Sequence, residues 1–442
     1  MNVSPPVTKK EIFGWAMFDF ANSSYTTVVI TVVYSAFFVG HIVPPGSGMR
    51  DSYWSIAILL STVVALVLSP LAGAICDYSG KKKRYLFYST AVCALATASL
   101  AFVGPGGIWP AIALIVVSNA AFMLSESFCG SFLPDISTPK NMGKISGIGW
   151  GIGYLGGLAS VIVATRVIIR TDPPESAPFK YIAENQMAMV AIGLFFFVAA
   201  LPTFLLVKNR SRPAPGFERA GFGKLLAAGF REFAQGAATA RKNRILFQFL
   251  GAFMVYMAGL DAIVKFVGIY AREEVRLSAG ELGMLFLVLQ LSAAAGALVF
   301  GWLEGKIGPK RTVLLTLAWW IVGVLGIYFL EQLAALGGSD PKRVFYGLAL
   351  MAGAGIGATQ ASSRTVVGLL SPPDKTAQMF GFWGMFSRLG TVLGTSFGFV
   401  ADGFQSRRAA VLVVVAFFVL GAILLSRVDI DKGIRDAHGA RA

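Results

Sequence analysis

The chain has 442 residues, 55% hydrophobic and only 14% charged, against about 25% charged in a soluble globular domain. Apolar runs of about 20 residues, enough for a helix to cross the roughly 30 Å hydrocarbon core, recur along most of it, which excludes a single soluble core and predicts an all-α integral membrane protein. The formal charge of +15 lies in short connectors rather than on an amphipathic stripe or among stacking aromatics, so it reads as membrane topology and excludes nucleic acid as a partner.

The amino-terminal stretch MNVSPPVTKKEIFGW lacks the short apolar core and small-residue cleavage site of a secretory signal, so the first apolar run is expected to stay as a span. About twelve spans follow, at 12-40, 53-76, 85-104, 108-132, 146-169, 183-207, 245-271, 281-303, 312-332, 344-370, 379-401 and 409-426. With the amino terminus placed in the cytoplasm, most Lys and Arg fall in the cytoplasmic connectors, and both termini are then cytoplasmic. Cys76, Cys93 and Cys129 lie inside or at the edge of apolar runs, where a free thiol behaves as a small hydrophobe, so no disulfide, metal site or cofactor is expected.

The longest connector divides the spans six and six, giving a bundle at 1-207, a cytoplasmic linker at 208-244 and a second bundle at 245-442. Within the linker Phe222, Leu225, Leu226, Phe230 and Phe233 recur at helical spacing beside Lys224 and Arg231. That pattern predicts an amphipathic helix on the inner leaflet, the alternative being an irregular solvated segment.

GAICDYSGKKKR (Gly73 to Arg84) joins spans two and three, and GWLEGKIGPKR (Gly301 to Arg311) joins spans eight and nine. Gly73 aligns with Gly301, Gly80 with Gly308, and Lys82 with Lys310. Corresponding connectors in two six-span halves mark a duplicated transporter with parallel pseudo-symmetric bundles.

The first of these stretches resembles the signature of the major facilitator superfamily: Gly, four residues on to Asp, three more to Gly, then bases, matched by Gly73, Asp77, Gly80, Lys81 and Lys82. The resemblance implies a gate latch, in which glycines allow close approach and the charges stabilise one access state. Topogenic anchoring by the charge run is the alternative. In the second copy Gly305 stands in place of the acid, with Glu304 beside it, a departure from a symmetric latch. GWAMFDFANSSY (Gly14 to Tyr25), FLPDI (Phe132 to Ile136), SGIGWGIGYLGG (Ser146 to Gly157) and GATQASSR (Gly357 to Arg364) together resemble the vacuole effluxer-like family, related to autophagy-associated amino-acid exporters of fungal vacuoles. In compact length the chain is more similar to the family's bacterial members, which implies a bacterial inner membrane.

An ionisable side chain at mid-membrane costs roughly 2.5 to 3.5 kcal/mol on insertion scales, so it faces a cavity or a partner. Asp19 lies in span one, Glu126 in span four, Asp261 and Lys265 in span seven, and Arg364 in span ten, the cavity-lining spans that the resemblance implies. Asp19, with Asn22 on the same polar stretch, is a candidate for a substrate ammonium or a proton, or makes a structural hydrogen bond near the helix end. Glu126 is the first choice for a proton-coupled carboxylate, since burial favours the protonated form of a carboxyl; its alternative is a packing hydrogen bond. Asp261 and Lys265, four residues apart, form either a neutralised intrahelical pair or a substrate clamp. Arg364 and Arg388 can each hold a carboxylate through a planar fork, and for Arg364 an inner-gate or snorkelling role is the alternative. Trp150 and Tyr154, in the glycine-rich fifth span, line the cavity or pack; the glycines themselves suit close helix contact.

These readings predict a secondary active transporter moving a small solute, an amino acid or related metabolite, by alternating access, with protons as the coupling ion. No P-loop is present, since the interval from Gly73 to Gly80-Lys81 is wrong and Lys82 replaces the hydroxyl. His41 and His438 fall outside the predicted membrane runs, which leaves carboxylates for proton coupling. A lipid or amphiphile flippase of the same fold and a non-transporting membrane sensor are the alternatives. An enzyme is not expected, for want of hydrolase or zincin signatures. The expected partners are a small-molecule substrate, membrane lipid and protons, and the chain is expected to act as a monomer.

Overall fold

The structure, a computed structural model, describes residues 6–44, 46–171, 178–395 and 407–439. Among these, ten helices are long and apolar enough to cross a membrane, and a bent pair, Val411–Ser426 with Ile430–His438 at 54°, passes the same test when taken together. Span eleven is described over Thr376–Gly394; residues 396–401 of its expected extent lie outside the described set. The protein is all-helical among the described residues and spans the membrane.

Helix ends follow local chemistry. Thr8 and Glu11 form a reciprocal cap that starts span one, Lys9–Ile42, leaving two otherwise orphaned N–H groups satisfied. Span one is not uniformly α-helical: Tyr25–Val32 and Phe38–Ile42 are π-helical turns, a register change that apolar periodicity cannot reveal. Span two, Arg50–Ser79, stops at Gly80, whose φ of 65° is the left-handed cap that glycine adopts without a Cβ penalty. Phe222–Ala234 in the linker is a helix; Leu225 is buried against Leu71 and Ile75 of span two, while Phe222 and Phe230 are exposed.

The chain packs as two units. Unit 1 comprises Met1–Ile136, Ile152–Phe233 and Asp374–Gly384; unit 2 comprises Ser137–Gly151, Ala234–Pro373 and Met385–Ala442. Each therefore incorporates the start of a fifth span drawn from the other half of the sequence. Span five, Met142–Ile168, passes from unit 2 to unit 1 after Gly151, and span eleven passes from unit 1 to unit 2 after Gly384.

With no water to drive helices together, close backbone contact and a few buried polar bonds supply cohesion. In unit 1 Gly156 lies on the Phe20 backbone and Gly193 on that of Ala94. In unit 2 Gly296 lies on Ala354 and Gly357 on Ala293, while the Trp320 and Phe418 rings stack at 5.4 Å.

Candidate functional site

Within unit 1, spans one and four are pinned at two heights. The Trp15 indole donates to the Cys129 carbonyl at 2.9 Å, and the Tyr25 and Ser118 hydroxyls share a 2.8 Å hydrogen bond. Because the spans run antiparallel, Asp19 and Asn22 on one and Glu126 on the other fall between these anchors. Asp19 and Glu126 are half-buried. Asn22 is buried, and its Oδ1 has no hydrogen-bond partner; such an acceptor costs about 1–3 kcal/mol unless a ligand or water satisfies it. Gly153 of span five packs on the Asp19 backbone and Cβ and on the Ser23 hydroxyl, which brings span five, with half-buried Tyr154, to the level of Asp19.

Unit 2 holds the remaining candidates. Asp261 and Lys265 form a 2.7 Å ion pair on span seven, and the Thr391 hydroxyl of span eleven donates to Asp261 at 3.2 Å. Arg388 is half-buried one turn before Thr391 on the same helix, on the face turned to that pair. Arg364 is buried: its Nε donates to the Ser146 hydroxyl at 3.1 Å and its Nη2 to the Ser146 carbonyl at 2.8 Å. Its guanidinium stands 5.3 Å from the Trp150 ring centre, within cation–π range. Arg364 thus ties span ten to the first turns of span five, and Trp150 belongs to that tie.

The two connector motifs make corresponding contacts. In unit 1 Gly73 meets the Ala377 backbone so closely that a Cβ there would overlap its carbonyl. One turn on, Asp77 accepts from the N–H groups of Ala377 (3.1 Å) and Gln378 (2.8 Å), capping the helix of span eleven with a negative charge where the helix dipole favours one. In unit 2 Gly301 lies on the Gly143 carbonyl and the Gly147 Cα of span five. Glu304 is buried, its carboxyl against Gly143 in the first turn of that span. So the motif glycine of each half touches the fifth span of the other half, and an acid accompanies it in both copies. Glu304, one residue before Gly305, stands in for the missing Asp.

The bases correspond less closely. Lys82 is buried and pairs with Asp135 at 2.9 Å while donating to the Ser131 carbonyl. Lys310, its aligned counterpart, donates to the carbonyls of Ser426 and Val428 at the end of span twelve. In the first half that part falls to Lys83, which donates to the Val207 carbonyl after span six at 2.9 Å. Gly80 and Gly308 both have positive φ, but ψ is 15° at one and 160° at the other, so the chain leaves the two turns differently and the lysines shift roles. Lys81 donates its backbone N–H to the Ser79 hydroxyl.

Sequence reasoning missed four acids or their partners. Asp135 was visible only as part of FLPDI. Glu11 is buried and pairs with Arg210 at 2.7 Å. Glu232 on the linker helix accepts from the Tyr78 hydroxyl at 3.0 Å and from Lys375 at 2.6 Å. Glu304 was noted but given no role. Among the described residues no group of three or more His, Cys, Asp and Glu could hold a metal ion.

The chain matches the family described as "Vacuole effluxer Atg22 like" over residues 48–438. It is 26% identical over 425 residues to an uncharacterized MFS-type transporter, YxiO, of Bacillus subtilis, covering 95% of this chain and 94% of that one. Autophagy-related protein 22-1 of Neosartorya fischeri is 24% identical over 309 residues, 66% of this chain and 49% of that protein, so the chain spans about half the fungal relative's length. Among solved structures, a bacterial homologue of the iron transporter ferroportin superposes with a TM-score of 0.68 at 15% identity, covering 95% of this chain and 98% of that one. The proton:xylose symporter XylE gives 0.68 at 12% identity, covering 95% and 94%. At such identities these two carry the major facilitator fold alone.

Proposed function

This chain belongs to the vacuole effluxer Atg22-like family of major facilitator transporters, and on that premise we propose that it is a secondary active transporter exporting an amino acid or related small metabolite by alternating access, coupled to protons. The observation that carries the reading is the pair of motif contacts: Gly73 and Asp77 on span eleven, Gly301 and Glu304 on span five. Glycine seats without interlocking side chains and a few hydrogen bonds make a contact that can open and re-form, which a gate requires. The basic connectors support a reading in which this gate faces the cytoplasm of a bacterial inner membrane, with both termini inside.

Polar groups within each unit support this substrate class. Asp19, Asn22 and Glu126 offer acceptors suited to an ammonium group, and Arg388, with Lys265 beside Asp261, offers donors suited to a carboxylate. Glu126 is the proton-carrying carboxylate in this scheme. Proteoliposomes with an imposed proton gradient, screened with radiolabelled amino acids, test it. Glu126→Gln should abolish gradient-driven accumulation yet keep substrate exchange at equilibrium. Full accumulation by Glu126→Gln overturns the coupling assignment, and no flux of any amino acid by the native chain overturns the substrate class.

A further inference from the structure

Beside the latch, and sharing Lys81 of its motif, unit 1 has an open cleft of about 360 Å³ between the start of span three and the end of span six. Its lining combines Lys81, Lys83 and Arg84 with Phe87, Tyr88 and Phe204, and none of these is acidic. Lys83 spends one N–H on the Val207 carbonyl and keeps two. Lys81 and Arg84 are exposed. The helix of span three begins at Lys82, so its amino-terminal dipole adds to the positive field of the three side chains.

The cleft continues into an apolar track. Tyr88, Val92 and Leu95 are 62%, 45% and 68% exposed, and their spacing of four and three residues sets them on one helical face in line with Arg84. On the other wall Phe87 and Phe204 meet edge to face at 5.3 Å. Cations at the helix end above a lipid-facing apolar strip match a molecule with an anionic head and an alkyl tail. A free phosphate would use the cations and leave the track idle.

We propose that this cleft is a binding site for an anionic glycerophospholipid, its phosphate held by Lys81, Lys83 and Arg84 and one acyl chain lying along Tyr88, Val92 and Leu95. It is a lipid site within unit 1, and it does not depend on which solute is carried. Because Lys81 follows Gly80, whose carbonyl is held by Asn209 at 2.8 Å, a bound head group braces the turn that positions Asp77.

The test is native mass spectrometry of the full chain offered equal amounts of phosphatidylglycerol and phosphatidylcholine. Preferential retention of phosphatidylglycerol is expected, and Lys81→Gln with Arg84→Gln should weaken it roughly 30-fold. The charge-matched pair Lys140→Gln with Lys144→Gln, also exposed, should leave it unchanged. Both replaced residues of the cleft are exposed, so thermal unfolding without added lipid should match the native chain, which separates lost binding from lost folding. Equal retention of the two lipids, or undiminished phosphatidylglycerol binding by the cleft variant, overturns the proposal. Displacement of the lipid by excess soluble glycerol phosphate overturns it too, since that would make the site one for free phosphate.

Discussion

Gln378 donates its backbone N–H to Asp77 at 2.8 Å, across 301 positions of sequence. An acid at the end of span two therefore caps a helix that begins near the far end of the chain, and Ala377 supplies a second bond to the same carboxylate. Replacing Asp77 with Ala should lower stability by about 2 kcal/mol, the range for charge-assisted bonds at a helix start. Asp77→Asn should retain part of this, because an amide oxygen still accepts one bond. Thermal unfolding of the purified chain reads the ranking, and equal melting temperatures for all three would remove the cap from the account.

Gly73 and Gly301 carry the close approaches, and their substitutions should behave alike. A methyl group at either position meets a backbone carbonyl, of Ala377 or of Gly143, and backbone cannot swing aside as a side chain can. Each Gly→Ala change should cost about 1–3 kcal/mol and raise the reactivity of a cysteine introduced at the facing helix start. Gly347→Ala, where nothing lies within 4 Å, is the matched control and should be neutral.

Lys82 is 2% exposed at its side chain and Asp135 is 18% exposed, so each charge depends on the other. Lys82→Met alone should destabilise by about 3 kcal/mol, because it strands Asp135. Combining it with Asp135→Leu should recover most of that loss. A double-mutant cycle on melting temperature measures the coupling, and strict additivity of the two changes would contradict a paired role.

Glu232 joins the linker helix to two other elements through Tyr78 and Lys375. Removing its charge with Glu232→Gln should speed hydrogen exchange across Phe222–Ala234 while leaving span two protected. Since Leu225 and Gly229 still dock on Ile75, the helix should loosen rather than unfold, a cost of about 1 kcal/mol. Unchanged exchange in that helix would mean the apolar contact alone holds it.

Much of the architecture was legible because membrane insertion is a local rule. Any run of about 20 apolar residues must be helical to satisfy its backbone in lipid, so the spans ending at Ser79, Leu206 and Leu370 could be read from composition and connectors. The two motif copies were readable for a similar reason: spacing of Gly73, Asp77 and Gly80 is a property of one short segment. The π-helical turns of span one were not, since apolar periodicity does not distinguish a π from an α register. Nor was the exchange of roles among Lys82, Lys83 and Lys310, which follows from how the chain leaves Gly80 and Gly308.

Sequence by itself determined that this chain crosses the membrane repeatedly and carries a long basic connector between its spans, because hydrophobic length and charge placement act through the solvent and need no partner. Only the tertiary structure decided which acid meets which base and which glycine meets which backbone. Lys82 found Asp135, Glu304 took the place that alignment left empty, and Asp77 found a helix start 300 residues away. Those choices rest on distances of about 3 Å between segments remote in the chain, where hydrogen bonding and steric contact operate and sequence spacing carries no information.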